Sequence, residues 1–161
     1  MGFRNQVEWT LHCCSVLSSL APGQSLATKA LAEFHGIPAG YLSKALQALA
    51  KAGIVEGTSG ARGGYRLARP PKDITFLQIV EAIDGGSHAF QCTEIRANNP
   101  CLKRAEQRFS SACAVARVMH RADEAWRKEL RSVSLQELGV SVAKSVPAAQ
   151  LRRNLDWLIA Q

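Results

Sequence analysis

Apolar residues recur along this chain at helical spacing almost throughout, and at strand spacing in one place. Over residues 3–20, Val7, Leu11, Cys14, Val16, Leu17 and Leu20 form a stripe that Ala21-Pro22-Gly23 ends. Ser25 is set to cap a second helix whose Leu26, Ala30, Leu31 and Phe34 share a face, with Gly36 as its stop. Ile37-Pro38 opens a third helix, with Pro38 in the first turn, where a missing N–H is tolerated. Leu42, Leu46, Leu49 and Ala50 continue that helix, and Gly53 closes it. Two helices joined by a short turn at Gly36 have the pattern of a helix-turn-helix. Two strand-like runs follow, Ile54-Val55-Glu56 and Gly64-Tyr65-Arg66-Leu67, around a glycine-rich tip that carries Arg62. That is a β-hairpin, and a helix-turn-helix followed by such a hairpin is a winged helix.

Beyond Pro70-Pro71, Thr75 and Gln78 fit a capping box for a helix over 76–83, which Gly85-Gly86 stops. Residues 87–112 show little periodicity, hold Cys92 and Cys101, and read as a long loop. Cys113 opens a long helix to about Leu130, apolar at Val115, Val118, Met119, Ala122, Trp126 and Leu130. A helix of that length on so small a chain needs a partner surface, and a second copy is the simplest one. Ser134 and Glu137 form another capping box. A last amphipathic stretch carries Leu151, Leu155, Trp157, Leu158 and Ile159. The fold class expected is mainly α with a small β-hairpin wing: a winged helix-turn-helix plus a long dimerisation helix.

Composition narrows the partners. The 161 residues carry 20 Lys+Arg against 13 Asp+Glu, a net charge of +7, which points to an anionic partner and to nucleic acid first. No apolar run is long enough to span a membrane, and the basic-then-apolar order of a signal peptide is missing, so a cytoplasmic protein is expected. In that compartment five cysteines read as metal, redox or burial, not as a disulfide frame. No nucleophile elbow, phosphate loop or paired catalytic carboxylates stand out, so no enzymatic activity is expected.

The winged helix suggests where DNA is met. Ala39, Gly40, Tyr41, Lys44 and Gln47 lie off the apolar stripe of the third helix. Gln47 suits an adenine edge, and Lys44 or Tyr41 a guanine or a phosphate. Thr28 and Lys29 on the second helix suit backbone phosphates. Arg62, next to Gly63 and Gly64, suits a narrow minor groove. Each of these also reads as an ordinary solvated side chain; their order along the chain is what favours DNA.

Taken in order, Tyr41-Leu42-Ser43-Lys44, Gly53-Ile54-Val55, Gly60-Ala61-Arg62-Gly63-Gly64-Tyr65-Arg66-Leu67 and Ile79-Val80-Glu81-Ala82-Ile83-Asp84-Gly85, with Cys92 and a later long helix, resemble the IscR/NsrR winged-helix regulators. Val7-Glu8-Trp9, Leu11-His12-Cys13-Cys14 and Cys92-Thr93-Glu94-Ile95-Arg96 are most similar to the RsrR type within that group. The resemblance implies a homodimeric repressor on a palindromic double-stranded operator, sensing redox state through a [2Fe-2S] cluster. Carried over residue by residue, it implies the ligands Glu8, His12, Cys92 and Cys113. Trp9, between Glu8 and His12, fits simple packing, and a large ring beside a redox centre also fits a redox relay to the DNA-reading helices. Residues 1–70 then form the DNA-binding domain, 71–112 the linking helix and cluster loop, and 113–161 the dimerisation and C-terminal helices.

The chemistry is consistent with that set. Glu8 and His12 are four apart and share a helix face. Histidine in place of thiolate raises the potential of such clusters and can couple reduction to a proton. Cys113 at a helix start has its thiolate favoured. Other readings stay open. Glu8 and His12 also fit a surface pair, and Cys92 and Cys113 fit small packed hydrophobes. Cys92, Cys101 and Cys113 together fit a [4Fe-4S] sensor, a cluster-free thiol sensor fits the same residues, and the fold also suits an enzyme-binding module. Cys13 and Cys14 read as core; His35, His88 and His120 read as structural or solvated.

Overall fold

The computed structural model describes residues 5–60, 63–102 and 109–161. Among them are seven α-helices and one two-stranded antiparallel sheet: α1 Asn5–Leu17, α2 Thr28–His35, α3 Ala39–Lys51, β1 Val55–Thr58, β2 Gly64–Leu67, α4 Phe76–Asp84, α5 Ala114–Ser132, α6 Leu135–Ser145 and α7 Ala148–Ile159. The chain divides into two compact units. One is Met1–Gly86 with Leu130–Gln161, and the other is Ser87–Glu129.

The first unit owns the main core. Leu31, Leu42, Leu46 and Leu49 of α2 and α3 meet Cys13, Cys14 and Leu17 of α1, Ile74 and Ile79 at α4, and Leu135 and Leu158. These are the positions the helical periodicity selects. Gly36 takes a left-handed φ of 65° and closes α2, as its place after the apolar run requires.

Two helix starts differ from expectation. Ser25 does not cap α2; the N-cap is Ala27, with no side-chain cap. The reason lies in the wing. Leu26 pairs with Tyr65 through two backbone hydrogen bonds, of 3.0 and 2.8 Å, so the chain is held extended there and α2 begins later. Ser25 instead accepts a hydrogen bond from Thr58 of β1 at 3.0 Å. Pro38 is likewise the N-cap of α3, one position before the first turn.

The wing pairs Val55 with Leu67, Glu56 with Arg66, Gly57 with Tyr65 and Thr58 with Gly64. Arg66 and Glu56 form an ion pair across one rung at 2.6 Å. Gly64 must be glycine, because a Cβ there would lie 2.3 Å from the Leu26 carbonyl oxygen.

Both capping boxes are present, and they touch. Thr75 caps α4 with Gln78 reaching back, and Ser134 caps α6 with Glu137 reaching back. Thr75 and Ser134 also form an isolated antiparallel bridge, with Phe76 N–H donating to Val133 and Leu135 N–H to Ile74. Two helix starts are thereby stitched into one joint.

The second unit is a cysteine-bearing loop and most of α5. Among its described residues the loop holds a 3-10 turn, Ile95–Asn98. On α5, Ala116 and Asp123 are buried, whereas Val115, Val118 and Met119 are 63%, 54% and 41% exposed. The apolar stripe predicted for the long helix is thus mostly uncovered in the single chain.

Candidate regulatory and DNA-reading surfaces

The outer face of α3 carries Ala39, Gly40, Tyr41, Lys44 and Gln47, all exposed, while Leu42, Ala45, Leu46 and Leu49 point inward. That division is what a recognition helix needs: one face packed, one face free to enter a groove. Lys29 projects from α2 into solvent and pairs with Glu33 one turn on, at 3.8 Å. Thr28 is half-buried at the start of α2. Arg62 lies outside the described residues. Gly63 and Gly64 have a packing reason for being glycine, since a Cβ on Gly63 would lie 2.6 Å from the Thr58 carbonyl oxygen.

Glu8 and His12 are both exposed on α1. They border a groove of about 430 Å³ between α1, α4 and α6, whose walls are apolar, among them Leu11, Phe76, Val80 and Leu138. Trp9, between them in sequence, turns to the other side. It packs on the core and meets the Tyr41 ring edge-on, with ring centroids 6.4 Å apart. The helix carrying Glu8 and His12 therefore touches the exposed side of α3 through one pair of rings.

In the second unit, Cys113 sits immediately before α5. The N–H groups of Ala116 and then Val115 hydrogen-bond its sulfur and lower its pKa, with Arg96 adding to the effect. The pKa of Arg96 is raised, first by its hydrogen bond to Glu94 and to a lesser degree by the charges of Cys113 and Cys92. Arg96 is fixed in turn by a two-pronged pair with Glu94, by donation to the Ser111 carbonyl at 3.0 Å, and by the Phe109 ring 4.1 Å away. Glu94 has φ 53°, the one non-glycine in the left-handed region among the described residues. A side chain in that conformation is disfavoured, and the pair with Arg96 holds it there. Sequence reasoning included Glu94 and Arg96 in a matching segment but gave neither a role.

Cys13 and Cys14 are fully buried. Burial pushes the Cys13 thiol up to about 12 and raises Cys14 as well, which removes both from thiolate chemistry at neutral pH. Cys101 is exposed, with its N–H on the Asn99 side chain at 2.9 Å. Among the described residues, no three His, Cys, Asp or Glu side chains gather closely enough to hold a metal ion. Within one chain, then, Glu8 with His12 and Cys92 with Cys113 belong to separate units. As donors they are chemically suited to a mixed thiolate, carboxylate and imidazole ligand set.

A polar pair missed by sequence reasoning anchors the second unit. The Asp123 side chain, 3% exposed, meets His88 Nδ1 at 2.6 Å and accepts the Ala89 N–H at 3.2 Å. The His88 bond, foremost, lowers the Asp123 pKa. His120 stands edge-on to both His88 and Phe90.

Comparison with known proteins fits this geometry. The family model described as "Rrf2: Iron-dependent Transcriptional regulator" matches residues 3–140. The chain is 31% identical over 115 residues to protein Rrf2 of Nitratidesulfovibrio vulgaris, covering 71% of each. It is 27% identical over 139 residues to the regulator NsrR of Shouchella clausii, covering 86% of this chain and 88% of that one. The solved structure of IscR from T. potens superposes with a TM-score of 0.70 at 20% identity, over 92% of this chain and 93% of the other. With its winged helix, exposed recognition helix and family match together, the chain belongs to the Rrf2 family of DNA-binding transcriptional regulators.

Proposed function

We propose that this regulator is a homodimeric repressor that binds a palindromic operator and reads redox state through a [2Fe-2S] cluster. The ligands would be Cys92 and Cys113 of one protomer with Glu8 and His12 of the partner subunit. One observation carries this reading: each half of the ligand set is prepared, as thiols in the loop before α5 and at its start, and as a carboxylate and an imidazole on α1. Cys113 has a favoured thiolate beside Arg96, whose pKa the charges of Cys113 and Cys92 help to raise, and Glu8 and His12 share an exposed helix face. The uncovered stripe of Val115, Val118 and Met119 supports pairing of two copies. The apolar groove beside Glu8 and His12 is a suitable seat for part of the second copy.

When bound, such a cluster supplies a one-electron change of charge at its ligands. The chain's own residues would convert that change into DNA affinity. Arg96 offsets negative charge at the thiolates. Trp9 links the helix of His12 to Tyr41 on α3. Tyr41, Lys44, Gln47 and Arg62 then read the operator, while Thr28 and Lys29 hold phosphates. A shift between DNA-competent and DNA-poor dimers needs only a few kcal/mol of differential stability.

Anaerobic purification with visible absorption and iron and sulfide counts tests this. About two irons and two sulfides per monomer, bleached reversibly by dithionite, are expected. Cys92→Ala, Cys113→Ala and His12→Ala should each abolish the native spectrum with the fold retained. A count near four irons transfers the site to Cys92, Cys101 and Cys113. A colourless protein that still binds a defined operator leaves a thiol sensor, for which the favoured Cys113 thiolate beside Arg96 already speaks. For the relay, Trp9→Ala should leave iron content unchanged and remove the redox dependence of operator binding. Intact redox dependence in that variant takes Trp9 out of the path.

A further inference from the structure

A second cavity lies on the other side of His12 from the groove. It is enclosed by α1, α2, α6 and α7, entirely within the first unit, and measures about 680 Å³. That size falls in the range of small-molecule sites. Its walls are largely apolar, with Val16, Phe34, Val142 and Leu155 among them.

Polar groups interrupt the apolar lining, among them His12, Ser15, Ser18, Ser19 and Asn154, and two more bear on what the cavity would hold. The Nε2 atom of His35 is fully buried and has no hydrogen-bond partner among the described residues. Buried ring nitrogens are normally paired, so this one stands out beside the cavity. Arg152 of α7 is the lining residue with a permanent charge, and that charge is positive. An apolar chamber with one free imidazole nitrogen and one guanidinium is complementary to an apolar body with a single anionic head.

We infer that the cavity between α1, α2, α6 and α7 binds a small amphipathic monocarboxylate, with its apolar part among Val16, Phe34, Val142 and Leu155 and its carboxylate toward Arg152 and His35. A neutral imidazole with its proton on Nε2 donates to a carboxylate oxygen. His35 is the last residue of α2, the first helix of the helix-turn-helix. Its ring lies 5.9 Å, centroid to centroid, from that of His12 on α1. An occupant would therefore touch both the DNA-binding domain and the helix that carries Glu8 and His12, and operator affinity should respond to it. The cavity shares His12 with the proposed ligand set, whereas Cys92 and Cys113 lie outside its walls.

The test uses the full chain. The fluorescent probe 8-anilinonaphthalene-1-sulfonate is titrated in, then displaced with decanoate and with 1-naphthoate. Saturable displacement is expected. It should be weakened about tenfold or more by Leu155→Trp, which fills the chamber, and by Arg152→Gln, which removes the charge. His35→Leu should weaken it and His35→Gln should restore part of it. Each variant is compared by thermal melting, so that loss of fold is seen separately. The Cys92→Ala/Cys113→Ala double variant should bind decanoate unchanged, which separates this inference from the cluster reading. If neither acid displaces the probe, or if Leu155→Trp and Arg152→Gln leave displacement intact, the cavity holds only water and the inference fails.

Discussion

Asp123 ties the loop of the second unit to α5, its buried side chain meeting His88 Nδ1 at 2.6 Å. The shared face of Glu8 and His12 follows from their spacing alone; Cys14 falls on the apolar stripe, Cys13 reads as core beside it, and both are buried. Asp123 was not legible in the same way. An aspartate amid charged helix residues reads as solvated, and its burial depends on His88 in a loop remote in sequence. The left-handed Glu94 was equally hidden, because it is held by the pair with Arg96 and not by any turn signal. Asp123 carries a pH prediction. Its folded-state pKa is depressed below the ordinary 3.8, chiefly by the His88 bond. The ionised form therefore stabilises the fold fully above that value, and the effect fades as pH falls below it toward the depressed one. Asp123→Asn should lower amide-exchange protection of the 87–129 unit at neutral pH and shrink the difference from the unmutated chain as pH drops toward 3. Equal protection in both proteins at pH 7 would show that the His88 pair does not hold the unit.

At the scale of elements, helices with self-contained start and stop signals were the legible ones. Thr75–Gln78 and Ser134–Glu137 announce α4 and α6 because a capping box is a four-residue device. The start of α2 was misplaced because the competing interaction is long-range: Leu26 is taken by Tyr65 of the wing, so Ser25 is drawn to Thr58. The joint between the two caps was also invisible, since nothing local says that Thr75 and Ser134 will pair. Thr75→Ala and Ser134→Ala should each cost about 1 kcal/mol by thermal or urea unfolding. Because the two residues are bridged, the double variant should depart from the sum of the singles; strict additivity would mean that the bridge carries no coupling. Gly64→Ala tests the wing anchor. The added methyl meets the Leu26 carbonyl, so a loss of more than about 2 kcal/mol is expected, with operator affinity falling as the wing shifts. A neutral result would mean that the Leu26–Tyr65 bridge can slide.

For the whole molecule, the winged helix is readable because its parts are local and ordered, whereas the proposed assembly would depend on surfaces that meet only in a second copy. The exposed stripe of α5 and the apolar groove beside Glu8 and His12 are the two unfinished surfaces of a single chain. If they pair in a symmetric dimer, each proposed cluster site draws two ligands from each protomer. That geometry has a consequence that an intrachain site cannot imitate. A Glu8→Ala/His12→Ala chain keeps its cysteines, a Cys92→Ala/Cys113→Ala chain keeps its carboxylate and imidazole, and neither homodimer should hold iron. When the two are co-expressed and pair at random, half the dimers are mixed, and each mixed dimer has one complete site and one empty site. Iron content should return to about a quarter of the unmutated value, with the native spectrum. With all four ligands in one chain, no combination restores a site and the mixture stays colourless. Val118→Glu, which places a charge in the middle of the α5 stripe, should abolish the restoration by separating the protomers in analytical ultracentrifugation, while the melting of the first unit is preserved.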